Sequence, residues 1–153
     1  MRAADVIREL NLAPHPEGGH YREIYRDAAP DGSRGAATSI HYLLSGDQRS
    51  HWHRVTDAVE IWNFHAAGGA GAAGLELALS PDGVSVDVHV LGGNLVAGHE
   101  PQAIVPAGWW QAARLIDPAT EGWVLVGCAV APAFEFSAFE MAPPDWMPEG
   151  WKS

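Results

Sequence analysis

The chain has 153 residues, with 9 basic and 19 acidic side chains and a formal net charge of −10 at pH 7. This length suits one domain with a proper core, and the acidic balance without a basic stretch argues against nucleic acid and anionic membranes as partners. Cys128 is the single cysteine, which excludes an intramolecular disulfide framework. Because no signal-like or long apolar segment occurs, we expect a cytoplasmic protein.

The predicted elements begin with one helix and continue as strands. Val6, Ile7 and Leu10 lie at helical spacing, which predicts a helix over residues 3–12 that ends before Pro14. The 17 glycines and 11 prolines divide the remaining chain into segments of strand length. Strands are predicted around His51 and His53 and at residues 21–26, 38–44, 60–65, 75–79, 84–90, 103–105, 123–129 and 134–139.

Residues 75–90 predict a hairpin, because two alternating strands flank the turn Ser80-Pro81-Asp82-Gly83. About eight short antiparallel strands must close on themselves or pair as two sheets to hide their edges, so the predicted fold class is all-β, of the jelly-roll type. We expect one domain over residues 1–153, with the barrel at about 20–140, a flexible loop at 66–74 and an extended tail at 143–153.

His51 and His53 stand two apart on a predicted strand. Both rings should therefore leave the same face of the strand, close enough to share one metal ion. The spacing also fits one histidine in a hydrogen-bonded pocket and the other near the surface.

Glu60, Trp62 and Phe64 share one face of a predicted strand. If this face is the barrel interior, burial raises the pKa of the Glu60 carboxyl, which suits general acid or base catalysis. The alternative is an edge strand with Glu60 in solvent.

Large and amide side chains follow the Pro106-Ala107-Gly108 turn, where Trp109 and Gln111 should point the same way. Trp52, Trp62 and Trp109 either line one cavity, as a platform for a sugar or planar ligand, or belong to the core.

Earlier in the chain, two glycines after Glu17 allow a turn that folds over the barrel mouth and leads into Tyr21. A plain structural turn would look the same.

Four motifs together resemble the cupin superfamily, and within it a group of short cupin-like proteins. The motifs are Pro16-Glu17-Gly18-Gly19-x-Tyr21, Ser50-x-x-His53-Arg54 with Glu60-x-Trp62, Pro101-Gln102 with Val105-Pro106-Ala107-Gly108-x-Trp110-Gln111, and Cys128-x-Val130-x-Pro132 with residues 134–136. The resemblance runs from about residue 10 to 139. It implies a double-stranded β-helix barrel with a ligand pocket inside, commonly in a homodimer. Members of the superfamily include metal-dependent dioxygenases and metal-free epimerases, so the fold alone does not select a reaction.

The general cupin metal set is His-x-His, a later Glu and a His after Pro-x-Gly. The resemblance thus implies His51, His53 and Glu60 as ligands, but Gln111 stands in place of the last histidine, and an amide is a poor substitute for imidazole. The short group also usually shows His at the position of Asn63, and His51 lies outside its pattern. We therefore expect no cofactor, with a divalent metal at His51, His53 and Glu60 as the alternative.

The favoured hypothesis is an enzyme, an epimerase or isomerase that transfers a proton on a small polar molecule such as a sugar or sugar-nucleotide derivative. His53 would be the general acid or base, Glu60 would orient it or share its proton, and Tyr21 would be a second proton carrier. The expected ligand-binding side chains are Glu17, Trp62, Asn63, Gln102, Trp109 and Gln111. A metal-dependent oxygenase or isomerase and a non-catalytic binding module are the alternatives.

Overall fold

The structure is a computed structural model that describes residues 1–69, 74–118 and 121–152. Within these residues the chain forms one short helix, eleven strands and two 3-10 turns, at Leu95–Ala97 and Phe136–Ala138. The helix and strands, in chain order, are α1 (Ala3–Glu9), β1 (Ala13–Pro14), β2 (His20–Arg26), β3 (Thr38–Ser45), β4 (Arg49–Val55), β5 (Val59–Gly68), β6 (Leu75–Ser80), β7 (Asp87–Leu91), β8 (Gln102–Val105), β9 (Trp110–Leu115), β10 (Trp123–Ala131) and β11 (Phe139–Met141).

The strands form two antiparallel sheets that face each other. One sheet has the order β1-β2-β3-β10-β5-β8 and the other the order β11-β4-β9-β6-β7. Neighbours in space such as β3 and β10 are far apart in sequence, so the chain crosses repeatedly between the sheets. The predicted fold class, a double-stranded β-helix with a short N-terminal helix, is confirmed.

The space between the sheets has an apolar half and an open half. On β3 the inward side chains of Tyr42 and Leu44 belong to the main core, whereas Thr38 and Ile40 line a cavity. On β10 Val126 belongs to the core and Val130 lines the same cavity. Burial of each aliphatic side chain contributes about 1.5–3 kcal/mol to the free energy of folding. The packed half therefore stabilises the barrel, and the open half is available for a site.

Helix α1 covers part of the outer face of the six-stranded sheet, where Val6 and Leu12 pack with Leu43 and Trp123. It ends at Glu9 and not at residue 12 as predicted, because Asn11 adopts a positive φ of 53° that no helical residue takes. No helix in the described ranges has the length and apolar character needed to cross a membrane.

The predicted hairpin is confirmed, but its second strand begins at Asp87. The Asp82 side chain accepts hydrogen bonds from the backbone N–H groups of Val84 and Ser85, both at 2.9 Å. The carbonyl oxygen of Val84 accepts a hydrogen bond from Gly150. The turn therefore extends through residues 84–86, and Gly83 and Val84 hydrogen-bond the C-terminal tail instead of β6.

The predicted strand at residues 134–139 is wrong. A 3-10 turn occupies Phe136–Ala138, and the strand β11 begins only at Phe139. The reason is that the phenyl rings of this segment turn toward the cavity instead of alternating between the two faces of a sheet.

The tail after residue 143 packs on the barrel. Trp146 and Trp151 pack against Trp52 on the outer face of the five-stranded sheet. Residues 70–73 of the predicted flexible loop, and Ser153, lie outside the described residues.

Candidate functional site

A cavity of about 70 Å³ lies between the two sheets and opens to solvent. This is room for several water molecules or for a small polar ligand. Its lining combines acidic and imidazole side chains with an apolar wall: His15, Glu17, Tyr21, Glu23, Arg26, Thr38, Ile40, His53, Val55, Glu60, Cys128, Val130, Phe134, Phe136 and Phe139.

Glu17 enters the cavity from the loop before β2, and the two glycines that follow it determine its position. Gly18 has φ of 108°, and a Cβ atom there would lie 2.0 Å from the carbonyl oxygen of Arg49. Gly19 has φ of 73°, and its Cβ would lie 2.6 Å from the carbonyl oxygen of Leu43. Glycine at both positions thus lets the loop pack directly on β3 and β4, which places the Glu17 carboxyl inside the barrel.

Ser50 and His53 meet Glu17 because of a β-bulge in β4. Ser50 pairs with Ala113 and His53 with Gln111, so three steps along β4 oppose two along β9. The extra residue breaks the alternation of side chains. Both Ser50 and His53 therefore point inward, where Ser50 Oγ donates a hydrogen bond to Glu17 Oε1 at 3.0 Å.

His53 Nε2 lies 3.0 Å from Glu17 Oε2. The other ring nitrogen, Nδ1, lies 2.7 Å from the carbonyl oxygen of His51, which can only accept, so Nδ1 carries a proton. Nε2 and the carboxyl must then share one further proton. Burial raises the pKa of Glu17 and lowers the pKa of His53, so burial disfavours the charged form of both partners.

His15 supports the Glu17 loop from the other side. The backbone N–H of Glu17 donates to His15 Nδ1 at 3.1 Å, and the His15 ring stands edge-on to Tyr21, with centroids 4.4 Å apart. Burial lowers the pKa of His15. His15 is therefore a neutral imidazole whose Nδ1 is already used.

Glu60 is the second buried carboxyl of the cavity, with 8% of its surface exposed. Burial raises its pKa to about 6, although the neighbouring His53 lowers it. Its Oε2 atom has no hydrogen-bond partner among the described residues. The expected environment of Glu60, on one inward face with Trp62 and Phe64, is thus what the structure shows.

Gln111 and Trp62 lie beneath the cavity. The indole Nε1 of Trp62 donates to Gln111 Oε1 at 2.8 Å, and since an indole only donates, this bond fixes the orientation of the amide. Gln111 Nε2 is buried with no partner in the described part of the chain. Trp62 and Gln111, with 1% exposed each, support the site from below and do not line the cavity.

His51 does not join His53, and the expectation of a shared face is wrong because of the same bulge. His51 Nε2 hydrogen-bonds the carbonyl oxygen of Pro143 at 2.9 Å, against the tail. In residues 1–69, 74–118 and 121–152, no group of three or more His, Cys, Asp or Glu side chains could hold a metal ion. With His51 outside, His53 Nε2 engaged by Glu17 and an amide at Gln111, these residues do not fit the metal centre that the resemblance implies.

The expected tryptophan platform is also wrong. Trp62 lies in the core and Trp109 packs against it, whereas Trp52 belongs to the outer cluster with Trp146 and Trp151. The flat walls of the cavity come instead from phenylalanine rings after β10.

Asn63 and Gln102 lie away from the cavity. Gln102 Nε2 donates to Asn63 Oδ1 at 2.7 Å between the paired strands β5 and β8. The inward neighbours Trp62 and Ala103 occupy the core face, so the alternation along each strand turns Asn63 and Gln102 outward. Tyr21, in contrast, lines the cavity as expected.

Sequence reasoning did not identify several lining residues. Phe134, Phe136 and Phe139 were assigned to a strand, and His15 and Ser50 had no assigned role. His15 and Ser50 could have been noticed because they lie in or next to the matched motifs. The contact of Ser50 with Glu17, however, depends on the bulge in β4, which the sequence does not reveal. Cys128 is buried at the cavity wall.

Comparisons with known proteins agree on the family and the fold. A family model described as Cupin superfamily (DUF985) matches residues 4–142. No protein in the curated set matches the chain significantly.

Solved structures are similar over most of the chain. A protein of Shewanella oneidensis is 39% identical, with a TM-score of 0.81, over 93% of this chain and 85% of its own. A hypothetical protein from Leishmania major is 29% identical, with a TM-score of 0.78, over 93% of this chain and 88% of its own. A third structure is the capsular polysaccharide assembling protein CapF of Staphylococcus aureus, which is 8% identical with a TM-score of 0.61. The match covers 85% of this chain and 31% of CapF, and it shows only that the two share a fold.

Proposed function

Because the chain belongs to the family described as Cupin superfamily (DUF985), we propose that its barrel cavity binds a small polar metabolite and transfers a proton on it, as in an isomerisation or epimerisation. The reaction uses side chains of the cavity alone. Glu17 and His53 act as one proton-sharing pair, and Glu60 acts as the second group.

The contact between Glu17 Oε2 and His53 Nε2, 3.0 Å apart, carries the proposal. Donation of the shared proton leaves one negative charge on the pair, but the proton that Glu60 takes up removes the negative charge of Glu60, so the total charge of the interior does not change. General acid–base catalysis needs such a group next to the space where the substrate binds, and both side chains line the cavity.

Glu60 supplies the complementary role. With a pKa of about 6, it is mostly ionised at neutral pH and still basic enough to accept a proton. Two neighbouring acids with different protonation states are a typical arrangement for acid–base catalysis. The hypothesis from the sequence made His53 the general acid or base and gave Glu60 a supporting role. We propose instead that Glu60 is the base and that the Glu17–His53 pair is the acid.

The step is a proton transfer next to a carbonyl group. Glu60 takes a proton from the carbon beside the carbonyl, and the Glu17–His53 pair donates its shared proton to the carbonyl oxygen, which gives an enol. If Glu60 returns the proton to the opposite face of the same carbon and the enol proton returns to the pair, the product is the epimer. If Glu60 gives the proton to the neighbouring carbon of an enediol and the pair takes the proton of the neighbouring hydroxyl, the product is the isomer; both routes restore every group.

The test is exchange of carbon-bound hydrogen. The protein is incubated in D₂O with a panel of small hydroxy-carbonyl and amino-carbonyl metabolites, and loss of the C–H signal is followed by proton NMR. We expect exchange with the unaltered protein and a decrease of about 100-fold or more in Glu17→Gln and Glu60→Gln. Glu140→Gln, an exposed carboxyl on β11, is the matched control and should exchange at the rate of the unaltered protein.

Two results would contradict the proposal. One is exchange that persists in both Glu17→Gln and Glu60→Gln. The other is a metabolite that stabilises the protein without any exchange, since a rise in melting temperature alone indicates binding. The second result would support a non-catalytic binding module.

A further inference from the structure

We infer that Gln111 is a positioning residue for Glu60: its amide Nε2 donates a hydrogen bond to Oε2 of the ionised carboxylate, which leaves Oε1 to face the cavity. This inference rests on the proposed function, because it concerns the group that is proposed there as the base. The resemblance implies a metal-binding histidine at the position of Gln111. Since the residues present do not fit a metal, the amide takes over the task of holding the carboxylate.

Two buried polar atoms of complementary kind lack hydrogen-bond partners. Oε2 of Glu60 is an acceptor and Nε2 of Gln111 is a donor, and both are enclosed without a partner in the part of the chain that the structure describes. Such atoms are rare in folded proteins, because each loses the hydrogen bonds that water gives it in the unfolded chain. One bond between the two atoms satisfies both.

The contact with Trp62 fixes the direction of the Gln111 amide. The indole Nε1 of Trp62 donates to Gln111 Oε1 at 2.8 Å, so the amide oxygen faces Trp62 and the NH₂ group is left for another acceptor. Trp62 and Glu60 lie two residues apart on the inward face of β5, whereas Gln111 lies on β9 of the opposite sheet. The bond therefore carries the amide across the barrel to the face that bears Glu60.

The groups around Glu60 agree with a donor at this place. Burial raises the pKa of Glu60, whereas the neighbouring His53 lowers it. Glu17 raises this pKa further, and hydrogen bonding by the side chains of Gln111 and Trp62 lowers it, as expected for donors to the ionised form. The ring nitrogens of His53 are engaged by Glu17 and by a backbone carbonyl, so the unused donor near Glu60 is Nε2 of Gln111.

The anchored oxygen determines which oxygen of the carboxylate can act. Glu60 lines the cavity, and Oε2 is the oxygen without accessible surface, so Oε1 is the one that a substrate can reach. A carboxylate held at one oxygen keeps one orientation, and a general base must lie within hydrogen-bond reach of the proton that it takes. Gln111 therefore directs Oε1 toward the substrate without lining the cavity itself.

The test observes the Glu60 carboxyl directly, without a substrate. The protein is labelled with ¹³C in its glutamate carboxyl groups, the Glu60 signal is assigned by its loss in Glu60→Gln, and its chemical shift is followed through a pH titration. The midpoint should lie near pH 6 in the unaltered protein, since the pKa of Glu60 is about 6. In Gln111→Met, which keeps the size of the side chain but lacks the donor, we expect the pKa of Glu60 to rise by about 1, a tenfold increase in proton affinity. Gln102→Met removes an amide that bonds Asn63 outside the cavity, and this matched control should leave the midpoint unchanged.

Trp62→Phe is the second variant. It removes the indole N–H and keeps an aromatic ring, so the Gln111 amide is free to turn and the pKa of Glu60 should rise in the same direction. A Gln111 with only a structural role would lower the melting temperature in Gln111→Met and leave the midpoint of Glu60 in place. That result, or an unmoved midpoint in Trp62→Phe when Gln111→Met does not fold, would overturn the inference.

The outcome is separable from that of the proposed function. If Gln111→Met moves the midpoint and no metabolite of the panel exchanges hydrogen, the contact of Gln111 with Glu60 stands and the proposed catalysis falls. If a metabolite exchanges and the midpoint does not move, the catalysis stands and the inference falls. If both hold, the pH of half-maximal exchange should rise together with the midpoint in Gln111→Met.

Discussion

Oε2 of Glu17 lies 3.0 Å from Nε2 of His53, and this contact connects the loop before β2 to a strand of the opposite sheet. The loop is held on β4 by a hydrogen bond from the N–H of His51 to the carbonyl oxygen of Glu17. The same contacts that close the barrel at this point therefore place the acid. Changes at Glu17 should separate its structural role from its chemical one.

Glu17→Gln and Glu17→Ala should differ in stability. The glutamine amide has the size of the carboxyl and can donate to His53 Nε2, so we expect the free energy of unfolding to change by less than about 1 kcal/mol. Alanine leaves the buried Ser50 and His53 side chains unpaired and should cost about 2–4 kcal/mol. Urea unfolding measures both, and a glutamine variant as unstable as the alanine variant would contradict the shared-proton geometry.

The raised pKa of Glu60 predicts a pH dependence of stability. The pKa of Glu60 in the folded protein, about 6, lies above its ordinary value of 4.5, so the stability that this carboxyl contributes is fully present below pH 4.5 and is lost as the pH rises through 6. The difference corresponds to about 2 kcal/mol.

The measurement subtracts the Glu60→Gln variant from the unaltered protein across pH 4 to 8. This subtraction is needed because Glu17, whose pKa is also raised, changes stability in the same direction, whereas His15 and His53, whose pKa values are lowered, change it in the opposite direction. Relative to the variant, the unaltered protein should lose stability between about pH 4.5 and 7. A flat difference would contradict the buried position of Glu60.

The fold could be predicted because its signals are local and repeated. Alternation along β6 and β5, and the turn after Ser80, each indicate a strand or a hairpin without knowledge of the rest of the chain. The inward face of Glu60 and Trp62 followed from the same alternation, and the structure confirms it. Cavity lining by Tyr21 agrees with its place in the matched Glu17 to Tyr21 motif.

The site could be predicted only in part, because alternation fails where a strand is irregular. The bulge between Ser50 and His53 reverses the expected faces, which moves His51 outside and brings Ser50 to Glu17. The contacts of Gly18 with Arg49 connect segments far apart in sequence, and spacing does not encode such contacts. The phenyl wall was missed because apolar residues after β10 look like another strand.

The glycine after Glu17 should be intolerant of a side chain. In Gly18→Ala the new Cβ would lie 2.0 Å from the carbonyl oxygen of Arg49 at φ of 108°, so the loop must move away from β4. We expect a loss of at least about 2–3 kcal/mol in the free energy of unfolding.

Gly32→Ala is the matched control for this prediction. Gly32 also has a positive φ, of 77°, but nothing lies within 4 Å of its Cβ position, so the loss should be limited to about 1–2 kcal/mol of backbone strain. Equal losses in the two variants would show that the close approach of the loop to β4 does not contribute.

Of the two histidines of β4, only His53 should be needed for the activity of the cavity, and neither should be needed for metal binding. His51 contacts Pro143 outside the barrel, so His51→Ala should leave ligand binding and hydrogen exchange unchanged. His53 is 2% exposed and contacts Glu17, so His53→Gln should reduce exchange by about 100-fold.

Because the donors do not converge, iron, manganese, nickel and zinc, added in turn and then removed by chelator, should leave the melting temperature of the unaltered protein and of both variants unchanged. A metal-dependent rise in melting temperature that disappears in both His51→Ala and His53→Gln would show instead that the two side chains bind one ion.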